Sequence, residues 1–511
     1  MTVAATTGGA GATAPPLVLG PAERFAEVRA LLQAAGYTED EVARRCAVPN
    51  VYAFRSRHDG RTTAADTVDA FDALLHLFLD EEALPWDEVR ALLGAPGTDA
   101  LCALGLLADA PEPGRCQGTV LLYPTRSLLV ASDRTRWPDG RMPDDVVYPA
   151  ITTSTEHFVA MLPETPCDDL LELCAGTGIA ALLGARTGAH AWATDVTERA
   201  THFARFNARL NGADNVTVAC GDLYDAVGDR TFDRIVAHPP YVSNAEVRVV
   251  FRDGGEDGEQ VTRGIVTGLP AHLRPGGALY CTCAVTDRRG RPFEQRLRDW
   301  LGDATAEFDV FFLPRSSHDP RHYFLDRAIG GHEPWSALER RCDALVRLEI
   351  ERVVYGSFVV RRRPAGAAGP PLTLRRRATP AARAIDVERL MASETAVAAV
   401  AATPGGEARL LDLPLATSPR VTFSLMHALV DGDWQAVACH VRVPAPFLID
   451  ADVAPWIAAL LARCDGTRPA RAVVRELQQE GMAPDDAALG DLPPLVRALV
   501  GASILEVPGG M

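Results

Sequence analysis

The stretch Glu172-Leu173-Cys174-Ala175-Gly176-Thr177-Gly178 lies between an apolar strand-like run and a helix-like run, Ile179 to Leu183. Glycines at a tight strand-to-helix turn let the backbone approach a ligand that a Cβ would hold off. A phosphate-binding loop is excluded, because the sequence has no Lys to follow the glycines. A carboxylate at Glu172 would repel a pyrophosphate, which weakens a dinucleotide reading, and it suits a ligand bearing an ammonium group. Asp195 ends the next strand, nineteen positions after Gly176, where an acid can accept from both hydroxyls of a ribose. Asp222 follows the third strand in Cys220-Gly221-Asp222-Leu223-Tyr224, placed to accept from the exocyclic amine of adenine with Leu223 or Tyr224 beside the ring. An adenosine with a cationic amino-acid tail is S-adenosylmethionine, and no metal is needed to hold it. The fourth strand, within Phe232-Asp233-Arg234-Ile235-Val236, runs into His238-Pro239-Pro240-Tyr241, where two prolines stiffen a turn that carries an imidazole and a phenol.

With these four motifs in this order and spacing, the chain resembles the class I methyltransferases with a Rossmann-like core. It is similar in particular to the branch whose fourth strand ends in Asn-Pro-Pro-Tyr, which includes release-factor glutamine methyltransferases and N-methyltransferases acting on adenine or guanine. The likeness runs from about Tyr148 to Val360, and extends to Pro149-Ala150-Ile151-Thr152, Gly254-Gly255-Glu256-Asp257-Gly258 and Leu273-Arg274-Pro275-Gly276-Gly277. It implies that Glu172, Ala175, Gly176 and Gly178 surround the methionine tail, Asp195 the ribose, and Asp222 with Leu223 the adenine. His238, Pro239 and Tyr241 would face the acceptor, with His238 also beside the cofactor. In that branch a side-chain amide and the following backbone carbonyl accept from a planar NH2 while the aromatic ring stacks on it.

His238 departs from the pattern and leaves two readings open. A neutral imidazole can take over the hydrogen bond of the amide, so that the acceptor stays a nitrogen of a peptide, protein or natural product. It can also act as a general base for O-methyl transfer. Two further alternatives are an RNA N-methyltransferase and a non-catalytic regulator that binds S-adenosylmethionine. With 67 acidic against 51 basic residues and a formal charge of −16, the surface disfavours a nucleic-acid partner unless arginines gather locally.

Several elements must position these residues. Seven candidate strands alternate with helical runs over 145–365, which predicts an α/β core with a parallel sheet covered on both faces. They are Leu170 to Cys174, Ala191 to Thr194, Val216 to Ala219, Arg234 to Ala237, Ala278 to Cys281, Phe308 to Phe312 and Val353 to Val360. Before them, 15–140 shows helical spacing (Phe25, Val28, Leu31, Leu32; Val68, Phe71, Leu74, Leu75, Phe78) and then a hairpin pattern at 118–131, as in a winged-helix-like domain. An Arg/Pro-rich linker is expected at 366–380, and a helical domain, with a winged form as the alternative, at 381–511. The eleven cysteines contain no Cys-x-x-Cys pair, as in a cytoplasmic protein with reduced thiols. No stretch has the ~18 uncharged apolar residues of a membrane span, and the Thr/Gly/Ala-rich tail from Met1 to Ala14 has no signal-peptide pattern.

Overall fold

The computed structural model describes residues 14–54, 68–137, 142–244, 249–329, 335–484 and 492–508, so the N-terminal tail up to residue 13 lies outside it. Its centre is one sheet of eight strands: β1 (Asp169–Leu173), β2 (His190–Asp195), β3 (Val216–Cys220), β4 (Phe232–Ala237), β5 (Leu273–Arg288), β6 (Phe308–His318), β7 (Ile350–Arg362) and β8 (Thr373–Arg375). The order across the sheet is β8-β6-β7-β5-β4-β1-β2-β3. Strands β3, β2, β1, β4 and β5 are mutually parallel, whereas β7 pairs antiparallel with both β5 and β6. The central strands are apolar on both sides because helices cover both faces of the sheet.

All seven predicted strands form, and an eighth joins them. Thr373–Arg375 pairs parallel with β6 inside the segment expected to be a linker. Three residues are too few to show a period, which hides such an edge strand in the sequence. The neighbouring arginines are used internally. Arg361 meets Asp309 at 2.6 Å, Arg362 meets Glu307 at 2.7 Å, Arg375 meets Asp287 at 2.5 Å, and Arg363 donates to the Gly369 carbonyl at 2.6 Å. Helices α1 (Thr153–Ala160), α2 (Ile179–Arg186), α3 (Glu198–Leu210), α4 (Gln260–His272) and α5 (Phe293–Leu301) flank the sheet, and α6 (Pro320–Ile329) and α7 (Trp335–Arg347) fill the connection from β6 to β7.

The N-terminal unit contains helices Ala22–Ala34, Glu39–Arg45, Ala70–Phe78, Trp86–Leu93 and Ala95–Ala103, with a small antiparallel sheet of Ala83–Pro85, Arg115–Gly118 and Leu107–Asp109. The predicted hairpin is present as Leu121–Thr125 paired with Leu128–Ser132, but it is not a wing. It forms a separate two-stranded sheet whose residues are almost all buried, because Leu121, Leu122, Tyr123, Val130 and Ala131 leave no polar face for solvent.

Two asparagines of α3 and its C-terminus hold this hairpin. The Asn207 amide accepts from Ala131 N at 2.8 Å and donates to the Ala131 carbonyl at 2.9 Å; Asn211 does the same at Leu129, at 2.9 and 2.7 Å. Four residues along a helix rise about 6 Å, close to the spacing of two residues along a strand, so the two amides pair with the hairpin as a neighbouring strand would. Asn211 also caps the C-terminus of α3, followed by Gly212 at φ +64°.

The C-terminal part is more β-rich than its Ala/Val composition suggests. Helices Ala384–Ala401, Pro455–Arg463, Ala470–Gln479 and Leu492–Gly501 accompany two three-stranded sheets, one of them built on the long hairpin Thr422–Val430 and Asp433–Val443. No helix among the described residues is long and apolar enough to cross a membrane.

Candidate functional site

The register of the sheet brings the candidate residues to one edge. Leu173 pairs with both Thr194 and Ala237, and Asp195 pairs with Cys220, so the loops carrying Gly176, Asp195, Asp222 and His238 leave from adjacent strand ends. The strand order turns back between β1 and β4, the position where open α/β sheets leave a crevice.

In the glycine loop, Cys174, Gly176 and Gly178 all have positive φ, at +55°, +52° and +76°. A Cβ on Gly176 would meet nothing within 4 Å, so this turn faces open space, whereas one on Gly178 would lie 3.2 Å from the Ala204 side chain. The first glycine keeps a cradle clear, and the second lets α2 pack against α3. Gly178 N donates to the Ala175 carbonyl at 2.8 Å, closing the turn.

The carboxylates have distinct settings. Asp195 Oδ2 accepts from Gly176 N at 2.9 Å and Oδ1 from Thr197 N at 3.1 Å, which ties the end of β2 to the glycine turn. Burial raises its pKa, and these N–H groups oppose the rise. Glu172 is 2% exposed, and its oxygens accept from Ala180 N at 3.2 Å and Ala181 N at 2.7 Å. It therefore caps α2 from inside the fold instead of lying open to the cleft, and burial pushes it up to about 8 against those two bonds. Asp222 is exposed, next to Leu223 at φ +47°. The half-buried Cys174 thiol is pushed up by desolvation first and then by Asp195, Asp222 and Glu172. An open backbone cradle with the carboxyls of Asp195 and Asp222 at its rim suits a cationic ligand with hydroxyls, as S-adenosylmethionine is.

The tetrad follows β4 with Pro239 buried and His238 half-buried. The loop after it presses on its backbone: a Cβ at Gly254 would lie 2.7 Å from the Pro240 carbonyl oxygen, and one at Gly258, where φ is +77°, 2.5 Å from that of Tyr241. This close approach explains the glycines of Gly254-Gly255-Glu256-Asp257-Gly258. The acids of this stretch serve structure. Asp257 pairs with Arg263 at 2.8 Å and Arg288 at 2.7 Å, and the fully buried Glu259 with Arg296 at 2.6 Å.

The His238 ring stacks on Phe158 at 5.2 Å and faces Tyr241 at 6.0 Å. Its Nε2 is sealed from solvent without a hydrogen-bond partner, and burial pushes its pKa down to about 4. Spacing alone does not mark His157 as part of this neighbourhood, because it lies in an amphipathic stretch of the kind that carries surface and core histidines. It is 3% exposed with neither ring nitrogen partnered, and burial, then Arg315, His238 and Arg383, push it down to about 3. The one hint was His157-Phe158 in a helix that starts at the Thr152 cap, a histidine beside an aromatic just ahead of β1.

Both rings bind protons less readily in the folded chain than the 6.5 of a free imidazole. The unfolded chain therefore takes up protons first as the pH falls, and the stability conferred by the neutral rings is complete above about 6.5 and lost towards 4. The denaturation midpoint is expected to drop between about pH 7 and pH 5, and to drop less in a His157→Phe variant; equal drops would show that the ring is not held neutral.

The methyltransferase small domain family matches residues 148–306. The ribosomal protein uL3 glutamine methyltransferase of Bradyrhizobium diazoefficiens is 33% identical over 30% of this chain and 53% of its own. The release factor glutamine methyltransferase of Cereibacter sphaeroides is 34% identical over 24% of this chain and 50% of its own. That of Xylella fastidiosa is 35% identical over 43% of this chain and 80% of its own. The chain belongs to the S-adenosylmethionine-dependent methyltransferases. It spans about half the length of the first two of these relatives and most of the third. The matched family region takes in the glycine loop, Asp195, Asp222 and the tetrad, while both flanking units lie largely outside it. S-adenosylmethionine is the cofactor of the family, and its sulfonium supplies an electrophilic methyl group.

Proposed function

We propose that this protein methylates a nitrogen in a protein acceptor, and that the acceptor is the side-chain amide of a glutamine. The observation that carries the reading is His238, a half-buried, neutral imidazole at the tetrad position whose Nε2 is sealed from solvent and unpartnered, between the rings of Phe158 and Tyr241. Such a group accepts a hydrogen bond from a planar NH2 but is too weakly basic to take a proton efficiently near neutral pH. This favours amide orientation over the alternative of O-methyl transfer with His238 as base. The Pro239 carbonyl would accept the second N–H, and Tyr241 would stack on the amide plane. The relatives named for glutamine methylation support the same acceptor class. An RNA acceptor draws no support from the arginines around 361–376, which are held by acids and carbonyls of the chain itself.

Glu172, Ala175, Gly176 and Gly178 are assigned to the methionine tail, with Glu172 acting through the helix it caps; Asp195 is assigned to the ribose, and Asp222 with Leu223 to the adenine. We read 15–140, a helical unit with a small antiparallel sheet, and 381–511 as two flanking units that together hold the protein acceptor beside the core at 145–365. Asp195→Ala is expected to weaken S-adenosylmethionine binding about 10- to 100-fold, as for the loss of a charged hydrogen-bond acceptor, when read by calorimetry. The acceptor class is tested with methyl-labelled S-adenosylmethionine and either purified peptide release factor or ribosomal protein uL3. Label on a glutamine of one of them supports the reading, and label confined to RNA or small molecules of a cell extract overturns it.

A further inference from the structure

The rings around His238 close into a circuit. Phe158 stacks on His238, His238 faces Tyr241, Tyr241 meets Tyr355 at 6.0 Å, and Tyr355 meets His157 at 5.5 Å. His157 and Phe158 are neighbours on α1, so the helix backbone completes the loop. The phenol of Tyr355 is engaged with the Ser154 carbonyl at 3.4 Å. The imidazoles are not: both nitrogens of His157 and Nε2 of His238 are sealed from solvent with no partner.

Buried polar atoms in folded proteins are nearly always paired, and a cluster of unpaired ones in a single cage marks a place where a ligand supplies the partners. The chemistry of the missing ligand follows from the chemistry of the atoms. Each neutral imidazole offers one N–H donor and one lone pair. An ammonium offers only donors and leaves the imidazole N–H unmatched. A carboxylate offers only acceptors, and would bring a charge into an aromatic cage. A primary amide offers both kinds of group in one plane.

We propose that His157 is a specificity-determining residue of the acceptor subsite, donating to the carbonyl oxygen of the acceptor amide while His238 accepts from its N–H. The inference rests on the side-chain amide reading given above. His157 has no part in holding the cofactor, and its second nitrogen is left for a backbone donor of the acceptor chain. Two histidines, one on α1 and one after β4, thus replace part of the hydrogen bonding that the single asparagine of related tetrads supplies.

The test uses the full chain labelled with 15N-histidine and saturated with S-adenosylhomocysteine, to which N-acetylglutamine N-methylamide is added. The ring nitrogens of His157 and His238, assigned with His157→Phe and His238→Phe variants, are expected to shift together, and to stay unmoved with N-acetylglutamate N-methylamide. A response of His238 without His157 overturns this inference and leaves the amide reading standing; silence of both rings overturns the two together. An equal response to the glutamate compound overturns the amide selectivity. In turnover assays with the same glutamine compound, His157→Phe keeps a ring against Tyr355 and is expected to raise KM about tenfold or more, the size of one lost hydrogen bond in a dry site, with kcat changed less. An equal loss of S-adenosylhomocysteine affinity would show His157 to be a structural wall and overturn the assignment.

Discussion

His238→Ala is expected to lower kcat about 100-fold, the usual scale for removing one oriented hydrogen-bonding group from an active site, with cofactor affinity nearly unchanged. The ring is held by Phe158 and Tyr241 and its free nitrogen has no partner in the chain, so its deletion removes an acceptor-facing bond and leaves the glycine loop and Asp195 intact. Single-turnover methyl transfer and calorimetry with S-adenosylhomocysteine separate the two effects. His238→Asn restores the side chain of related tetrads. It should recover much of the activity if the imidazole only accepts a hydrogen bond, and none if the imidazole removes a proton. Equal loss of cofactor binding in His238→Ala and Asp195→Ala would overturn this division of labour.

Asp133→Ala is expected to destabilise the fold by about 3–5 kcal/mol, the cost of stranding one half of a buried ion pair. Asp133 is 1% exposed and Arg199, on α3, is 4% exposed. The guanidinium grips the carboxylate with Nε at 2.7 Å and Nη2 at 2.5 Å, and the same carboxylate accepts from Val147 N at 2.8 Å. One side chain therefore fastens the end of the N-terminal unit, the segment leading to α1, and the helix after β2. Urea denaturation followed by tryptophan fluorescence reads the loss. The double variant Asp133→Ala, Arg199→Met should recover a good part of it, since no charge is left buried; a double variant as unstable as the single would show that packing, not charge, carries the effect.

The sequence made the centre of the molecule legible because two strong signals coincide there. Strands β1 to β4 are short apolar runs that end in chemically distinctive residues, and a two-sided buried sheet tolerates little else at those positions. The carboxylate at Asp195 and the tetrad at 238–241 came out at the same edge of the sheet, after the two strands that flank β1. Glu172 shows a limit of such reading: its position at the strand end was visible, but not that its oxygens turn into α2. His157 and Tyr355 lie almost two hundred residues apart, and no periodicity announces that two rings meet. The hairpin at 121–132 was visible as strands, yet its docking was not, because the partners are side-chain amides on α3 and not another strand. The hairpin at 422–443 escaped notice for a different reason: its exposed apolar residues, among them Leu425, Met426 and Trp434, blur the alternation that marks a half-buried strand.

Asn207 has one more bond. Besides its pair with Ala131, its amide donates to the Thr177 carbonyl at 2.9 Å, inside the glycine turn. One fully buried side chain thus spans the hairpin and the cradle of the cofactor, and the free energies of occupying the cradle and of seating the hairpin are coupled through it. Thermodynamic reciprocity then runs both ways: a ligand that orders the turn slows hydrogen exchange at Leu129 and Ala131, and every change that loosens the hairpin is repaid as weaker cofactor affinity.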